Sequence, residues 1–223
     1  ALTLPEGGEA GPVETLERRQ VLAGDGYLFA PRLSPGGDAL LFLNRDYDYT
    51  PDDYGPVGYD LAVNQLGLLD VEDPSPRLVI EETEGGALGG AAAWSPDGSR
   101  IVFAEGRYGN GTFASLTLKT VDRTGAVAEV GAVPLGPGGF LVSLDWCVPA
   151  RALINVAGSD GAHELYAVQL ETGNSSAIVS EERIDVLGCV RQAEGGDQGN
   201  ADVVRVRAVQ TAGPAPSEAE TTW

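Results

Sequence analysis

The chain contains no methionine, one histidine, one lysine, two cysteines and no long apolar run. Each shortage excludes something. With no methionine even at position 1, the start is expected to have been removed, by signal cleavage or in the making of the chain, and what remains at the front is not a charged-then-apolar signal segment. Wholly apolar stretches are of the size of Ala39 to Leu43, against the roughly 18 to 20 residues a membrane-crossing helix needs, so no transmembrane segment is expected. A single histidine cannot build a two-histidine zinc site. Any histidine-bearing triad would have to rest on His163, which stands in Gly-Ser-Asp-Gly-Ala-His-Glu-Leu, and no Gly-x-Ser-x-Gly elbow occurs. His163 therefore reads as a surface or hairpin residue. Basic charge is also scarce: 33 acidic side chains face 14 basic ones, a formal net charge of −19. A phosphate backbone or an anionic membrane surface would be repelled, which argues against a nucleic-acid partner.

What is present is ordinary for a folded protein. The hydrophobic fraction is 43% and the charged fraction 21%, so the high net charge does not imply disorder. A chain of 223 residues buries roughly 70% of its unfolded surface on folding and needs no staples. Helical periodicity is almost absent, and 31 glycines with 14 prolines suit many turns. The expected class is all-β.

Internal similarity is the strongest signal. Phe29-Ala-Pro-Arg-Leu-Ser-Pro-Gly-Gly-Asp-Ala-Leu-Leu-Phe-Leu aligns with Ala91-Ala-Ala-Trp-Ser-Pro-Asp-Gly-Ser-Arg-Ile-Val-Phe-Ala. Each reads as apolar strand, Ser-Pro-x-Gly turn, apolar strand. Pro35 and Pro96 preset φ at the second turn position, and Gly36 or Gly37 and Gly98 can take the positive φ that follows. A degenerate third copy runs from Val142 to Val156, with Trp146 under Trp94, and a weaker fourth from Ile184 to Gln192, with Cys189 under Cys147, Ser95 and Ser34. Those four positions are 61, 52 and 42 residues apart, a range that brackets propeller blades of four antiparallel strands. Further strands are expected at Leu61 to Val71, Leu116 to Val121 and Glu164 to Leu170. Each unit is then closed by a short strand, at Arg77 to Glu81, Ala128 to Val133 and Ser176 to Ser180.

The fourth unit supplies strands near Ile184 to Val190 and Val203 to Val209 but no outer strand, whereas Val13 to Leu22 is an orphan strand ahead of the first hairpin. Joining the two would pair both sheet edges. The preferred architecture is a β-propeller of four blades closed by the N-terminal strand. Five blades, or an open partial propeller completed by a partner chain, are the alternatives. In domain terms, residues 1–12 form a flexible N-terminal segment, 13–210 the propeller, and 211–223 a disordered tail or linker.

Ser95-Pro-Asp-Gly-Ser-Arg-Ile-Val-Phe103 resembles the WD-related repeat of the TolB-like propellers of bacterial envelopes and of the amino-terminal propellers of prolyl-oligopeptidase relatives. Only the first two copies match well, and the motif specifies a hairpin rather than an activity. The resemblance implies export to the periplasm or outside the cell, and binding of a protein, peptide or glycan, alone or as a subunit of a larger assembly.

In a propeller, the connections between strands two and three lie on one face, around the channel. The first of these, Asn44 to Asp60, holds Tyr47, Tyr49, Tyr54 and Tyr59, four of the seven tyrosines. The second adds Tyr108 and Phe113. Tyrosine offers large amphipathic contact area at little entropic cost, so these six residues are the candidate ligand-binding set. The alternative is a solvated acidic loop whose tyrosines pack on the first blade. Asp46, Asp48, Asp52 and Asp53 carry the hard oxygens that calcium takes, though without an EF-hand register. Calcium is accordingly the one cofactor considered, and none is otherwise expected. No catalytic residue is assigned. The rival reading is a carboxylate-based glycoside hydrolase using Asp145, Asp185 or Glu105. Cys147 and Cys189, at equivalent points of adjacent innermost strands, are expected to form a disulfide, with two buried thiols as the alternative. Asn110-Gly-Thr and Asn174-Ser-Ser also match the glycosylation pattern.

Overall fold

The computed structural model describes residues 27–45, 65–70, 77–80, 87–109, 112–181, 183–191, 202–209 and 217–222. These residues are strands and turns throughout. β1 (Tyr27–Leu33), β2 (Ala39–Arg45), β3 (Gln65–Asp70) and β4 (Arg77–Ile80) form a first sheet in chain order. β5 (Ala87–Trp94), β6 (Arg100–Gly109), β7 (Thr112–Asp122) and β8 (Val127–Ala132) form a second. β9 (Phe140–Val148), β10 (Arg151–Ala157), β11 (His163–Gln169) and β12 (Ser175–Glu181) form a third. β13 (Arg183–Arg191), β14 (Asp202–Val209) and β15 (Ser217–Thr222) form a fourth. Every pairing is antiparallel between chain neighbours, so each sheet is a meander. The leading strands pack in series: β1 on β5, β5 on β9, β9 on β13. This is the blade arrangement of a β-propeller.

The period of two along each strand explains why the sheets stack. In β6, Ile101 and Phe103 join Leu41, Leu43, Leu66 and Trp94 in the core between the first and second sheets. Val102 and Ala104 point the other way, to Leu118, Leu144, Trp146 and Ile154 between the second and third. A strand buried on both faces reads as a continuous apolar run, as Ile101 to Ala104 does. Each buried leucine-sized side chain contributes about 1.5–3 kcal/mol relative to exposure. A third cluster, Leu153, Leu165, Ala167 and Ile184, joins the third sheet to β13.

The two Ser-Pro-x-Gly turns behave alike. Ser34 Oγ donates to Asp38 Oδ1 at 2.6 Å and accepts the Ala39 amide at 3.0 Å. Ser95 Oγ donates to Asp97 Oδ1 at 2.6 Å and accepts the Arg100 amide at 2.9 Å. The left-handed positions fall on Gly37 (φ 74°) and Gly98 (φ 69°), where a Cβ would be strained. The first two sheets are then clamped from the β7–β8 turn. Arg123 donates to both Asp38 carboxylate oxygens and, through Nε, to the Gly98 carbonyl at 2.8 Å, with its guanidinium 5.2 Å from the centre of the Trp94 ring.

Strand boundaries expected from the sequence fall close to those observed. One segment differs: Ser217–Thr222, inside the stretch read as a tail, pairs with β14. Its Ser, Glu and Thr content has no apolar periodicity, and a strand held by its backbone ladder needs none. The register sets Glu218 opposite Arg207 and Glu220 opposite Arg205. Val13 to Leu22 lies outside the described residues, and with it the expected closing strand.

Candidate binding face

The Ser-Pro-x-Gly turns and the β9–β10 turn sit at one end of the sheets, so the connections β2–β3, β6–β7 and β10–β11 leave from the other. Tyr47, Tyr49, Tyr54 and Tyr59, with Asp46, Asp48, Asp52 and Asp53, belong to the β2–β3 connection and lie outside the described residues. Among the described residues, no group of three or more His, Cys, Asp or Glu side chains is arranged to hold a metal. Tyr108 and Phe113 are described in their backbone only. They stand directly opposite each other in β6 and β7, on a ribbon that overshoots β5, whose first residue Ala87 pairs with Gly106. The register therefore sets these two positions opposite each other near the end of one β-ribbon.

At the centre, Arg32 joins three sheets. Its Nη1 donates to Asp145 Oδ1 of β9 at 2.7 Å, and its backbone carbonyl accepts Trp94 Nε1 at 3.0 Å. β1 reaches this position through a bulge between Phe29 and Arg32 that contains Ala30 at φ 50°. A non-glycine residue in that region is strained by about 1–3 kcal/mol, and bulges re-aim the side chains that follow. The counterpart of Trp94 in the third sheet, Trp146, lies under Arg100 at 5.1 Å, with its Nε1 buried and without a hydrogen-bond partner among the described residues.

Two of the three candidate acids are engaged in ion pairs. Asp145 is held by Arg32, and Glu105 by Lys119 Nζ at 3.0 Å; Asp185 is placed in the backbone of β13 only. Asp145 thereby links β9 of the third sheet to β1 of the first, and Glu105 links β6 to β7. Their visible work is to hold strands together.

His163 opens β11, in the β10–β11 hairpin, as the sequence suggests. It belongs to a polar bridge that the sequence does not reveal. Asn155, buried in β10, donates from Nδ2 to the Ile184 carbonyl at 2.7 Å and turns Oδ1 toward His163 Nδ1 at 3.2 Å. The bridge ties the third sheet to the fourth. Cys147, on the same face of β9, packs against this core. Two exposed apolar residues were also missed, Phe140 and Val142 at the start of β9. Their signal was the apolar run Phe140 to Val142 itself, which does not say which side faces water.

No protein-family model matches the chain, and no curated protein matches it in sequence. Among solved structures it is similar to the beta-propeller domain of the trilobed protease from Pyrococcus furiosus, described as having an open velcro topology. That match has 14% identity, covers 87% of this chain and 57% of that one, and has a TM-score of 0.46. It is similar to the acylaminoacyl peptidase of Pyrococcus horikoshii at 14% identity, over 88% of this chain and 32% of that one, with a TM-score of 0.54. TolB from Acinetobacter baumannii is a distant likeness at 11% identity, over 84% and 53%, with a TM-score of 0.37. The chain spans less than two thirds of the length of each. Likeness at this level speaks to fold alone. No helix among the described residues is long and apolar enough to cross a membrane.

Proposed function

We propose that this propeller is a non-enzymatic binding module, exported to the periplasm or the cell exterior, that takes a protein, peptide or glycan partner on the face bearing the β2–β3 and β6–β7 connections. The observation that carries this reading is topological. Chain connectivity sends the tyrosine-rich connection and the overshooting ribbon with Tyr108 opposite Phe113 out of the same end of two adjacent sheets. A surface rich in tyrosine and carboxylate suits amphipathic and polar recognition at once. The Asp46, Asp48, Asp52 and Asp53 cluster would add calcium to that face if its oxygens converge.

Two structural statements belong to the same reading. Val13 to Leu22 supplies the closing strand of the last sheet in a ring of four blades. Cys147 and Cys189 form a disulfide between β9 and β13, whose backbones lie against each other. The module works as a separate subunit or as part of a larger assembly.

The test is purification from the native source with mass spectrometry of what accompanies the chain, repeated with a Tyr49→Ala/Tyr54→Ala variant of unchanged melting behaviour. A partner retained by the parent and lost by the variant supports the reading. Turnover of a glycan that disappears with Asp145→Asn or Asp185→Asn would replace it with the hydrolase reading.

A further inference from the structure

We infer that the outer end of the third sheet, where Phe140 and His163 flank Ala157, is a docking site for an arginine- or lysine-bearing segment of a partner protein. This rests on the reading of that face as the binding surface and names the chemistry it selects. Phe140 is 54% exposed and Val142 39% exposed, on a leading strand whose Leu141, Leu144 and Trp146 are buried. Phe140, Ala157 and His163 share one register row across β9, β10 and β11. Two strand spacings separate the outer members, about 10 Å, a span that one long cationic side chain and its backbone can cover.

Hydrogen bonding decides what His163 presents. The Asn155 Nδ2 group can only donate, and it does so to the Ile184 carbonyl. Asn155 Oδ1 is therefore the atom that meets His163 Nδ1, and an acceptor there requires the imidazole to donate from Nδ1. The same bond orients the ring and, in the neutral imidazole, leaves Nε2 as an acceptor. Asp160, exposed in the turn that leads into β11, adds a carboxylate close by in the chain.

An aromatic face, an oriented nitrogen lone pair and a carboxylate all favour a cationic donor. The net charge of −19 draws basic partners in and repels acidic ones. A neutral glycan would gain the stacking on Phe140 but nothing from the field.

The experiment is fluorescence anisotropy of a labelled peptide of alternating Arg and Gly against the full chain. A Glu-Gly peptide and a neutral oligosaccharide are run in parallel. The expected result is saturable binding of the basic peptide only. Phe140→Ala and Asp160→Asn should each weaken it, the former by roughly tenfold, whereas Glu129→Gln on the exposed outer strand β8 should leave it unchanged. Equal affinity of the parent and Phe140→Ala would mean that net charge alone attracts the peptide, and would overturn the site. Preference for the oligosaccharide, or no binding of the basic peptide, would overturn it as well. A native partner that is lost with Tyr49→Ala/Tyr54→Ala but kept by Phe140→Ala would remove this site and leave the wider face standing.

Discussion

Arg123 holds Asp38 across 85 residues of chain, Nη1 to Oδ2 at 2.7 Å and Nη2 to Oδ1 at 3.0 Å. The same guanidinium rests on Trp94 and bonds the Gly98 carbonyl, while Arg77 Nη1 donates to the Arg123 carbonyl. A lysine cannot reproduce the fork, the Nε bond and the planar stacking together. Arg123→Lys is expected to lower the melting temperature by about 2–4 °C. Asp38→Asn should then cost much less in the Arg123→Lys background than in the parent, because both changes remove one interaction. Additive losses would show that the pair does not couple the sheets.

Acid should act through the turns. The Arg123 guanidinium and then the Ser34 hydroxyl hold the Asp38 carboxyl well below the usual range. Asp97 is lowered to about 2, first by the Ser95 hydroxyl and then by the Ser99 amide and hydroxyl. Asp122 is lowered by the Thr124 hydroxyl and the Ala126 amide. A carboxylate whose folded pKa is depressed lends its full stability above the unfolded value, near 4, and loses it as pH falls through the folded value. Melting temperature should therefore be insensitive to these groups above about pH 5 and fall between about pH 4 and 2. Asp38 and Asp97 are exposed and Asp122 is partly so, which makes the effect modest and salt-screened. Asp97→Asn should make the decline shallower, and an unchanged decline would remove Asp97 from the explanation.

Gly173, at φ 71°, packs its backbone against β8 of the second sheet. A Cβ there would collide with the Val130 carbonyl, and the Gly131 Cα lies 3.3 Å away. Gly37 has a similar φ but open space around it. Gly37→Ala should cost about 1–2 kcal/mol for the left-handed backbone alone. Gly173→Ala should cost distinctly more, because backbone atoms must also move. Chemical denaturation of the two variants compares them, and equal losses would mean that the second and third sheets do not meet at this point.

If Cys147 and Cys189 are joined, the denatured, unreduced protein should show no titratable thiol. The 42-residue separation makes the link worth roughly 3–4 kcal/mol on the chain-entropy model. Reduction should therefore lower the melting temperature, and two free thiols in the unreduced protein would end the idea.

Much of the architecture could be read from the residues because it rests on local chemistry. Ser-Pro-x-Gly with apolar flanks specifies a hairpin through the serine hydroxyl and one left-handed glycine. Strands expected at Arg77 to Glu81 and Glu164 to Leu170 lie at Arg77–Ile80 and His163–Gln169. The contacts between sheets were not readable. Nothing in Asp122-Arg-Thr-Gly says that Arg123 will reach Asp38, and nothing near Asn155 announces the Ile184 carbonyl, because such partners are chosen by tertiary geometry. Ser217–Thr222 escaped notice because backbone pairing leaves no apolar trace. Of the expected site, Tyr108 and Phe113 are brought opposite each other in the backbone register, while the tyrosines and aspartates of the β2–β3 connection lie outside the described residues.

The proposed binding face depends on the sheets meeting around one axis, and the ion pair between β1 and β9 joins distant parts of the chain. Arg32→Asp and Asp145→Arg should each lower the melting temperature by bringing like charges together. The Arg32→Asp/Asp145→Arg double variant, measured in the same scan, should recover most of the loss. A double variant no better than the sum of the singles would place Arg32 and Asp145 apart, and would contradict the arrangement on which the face is built.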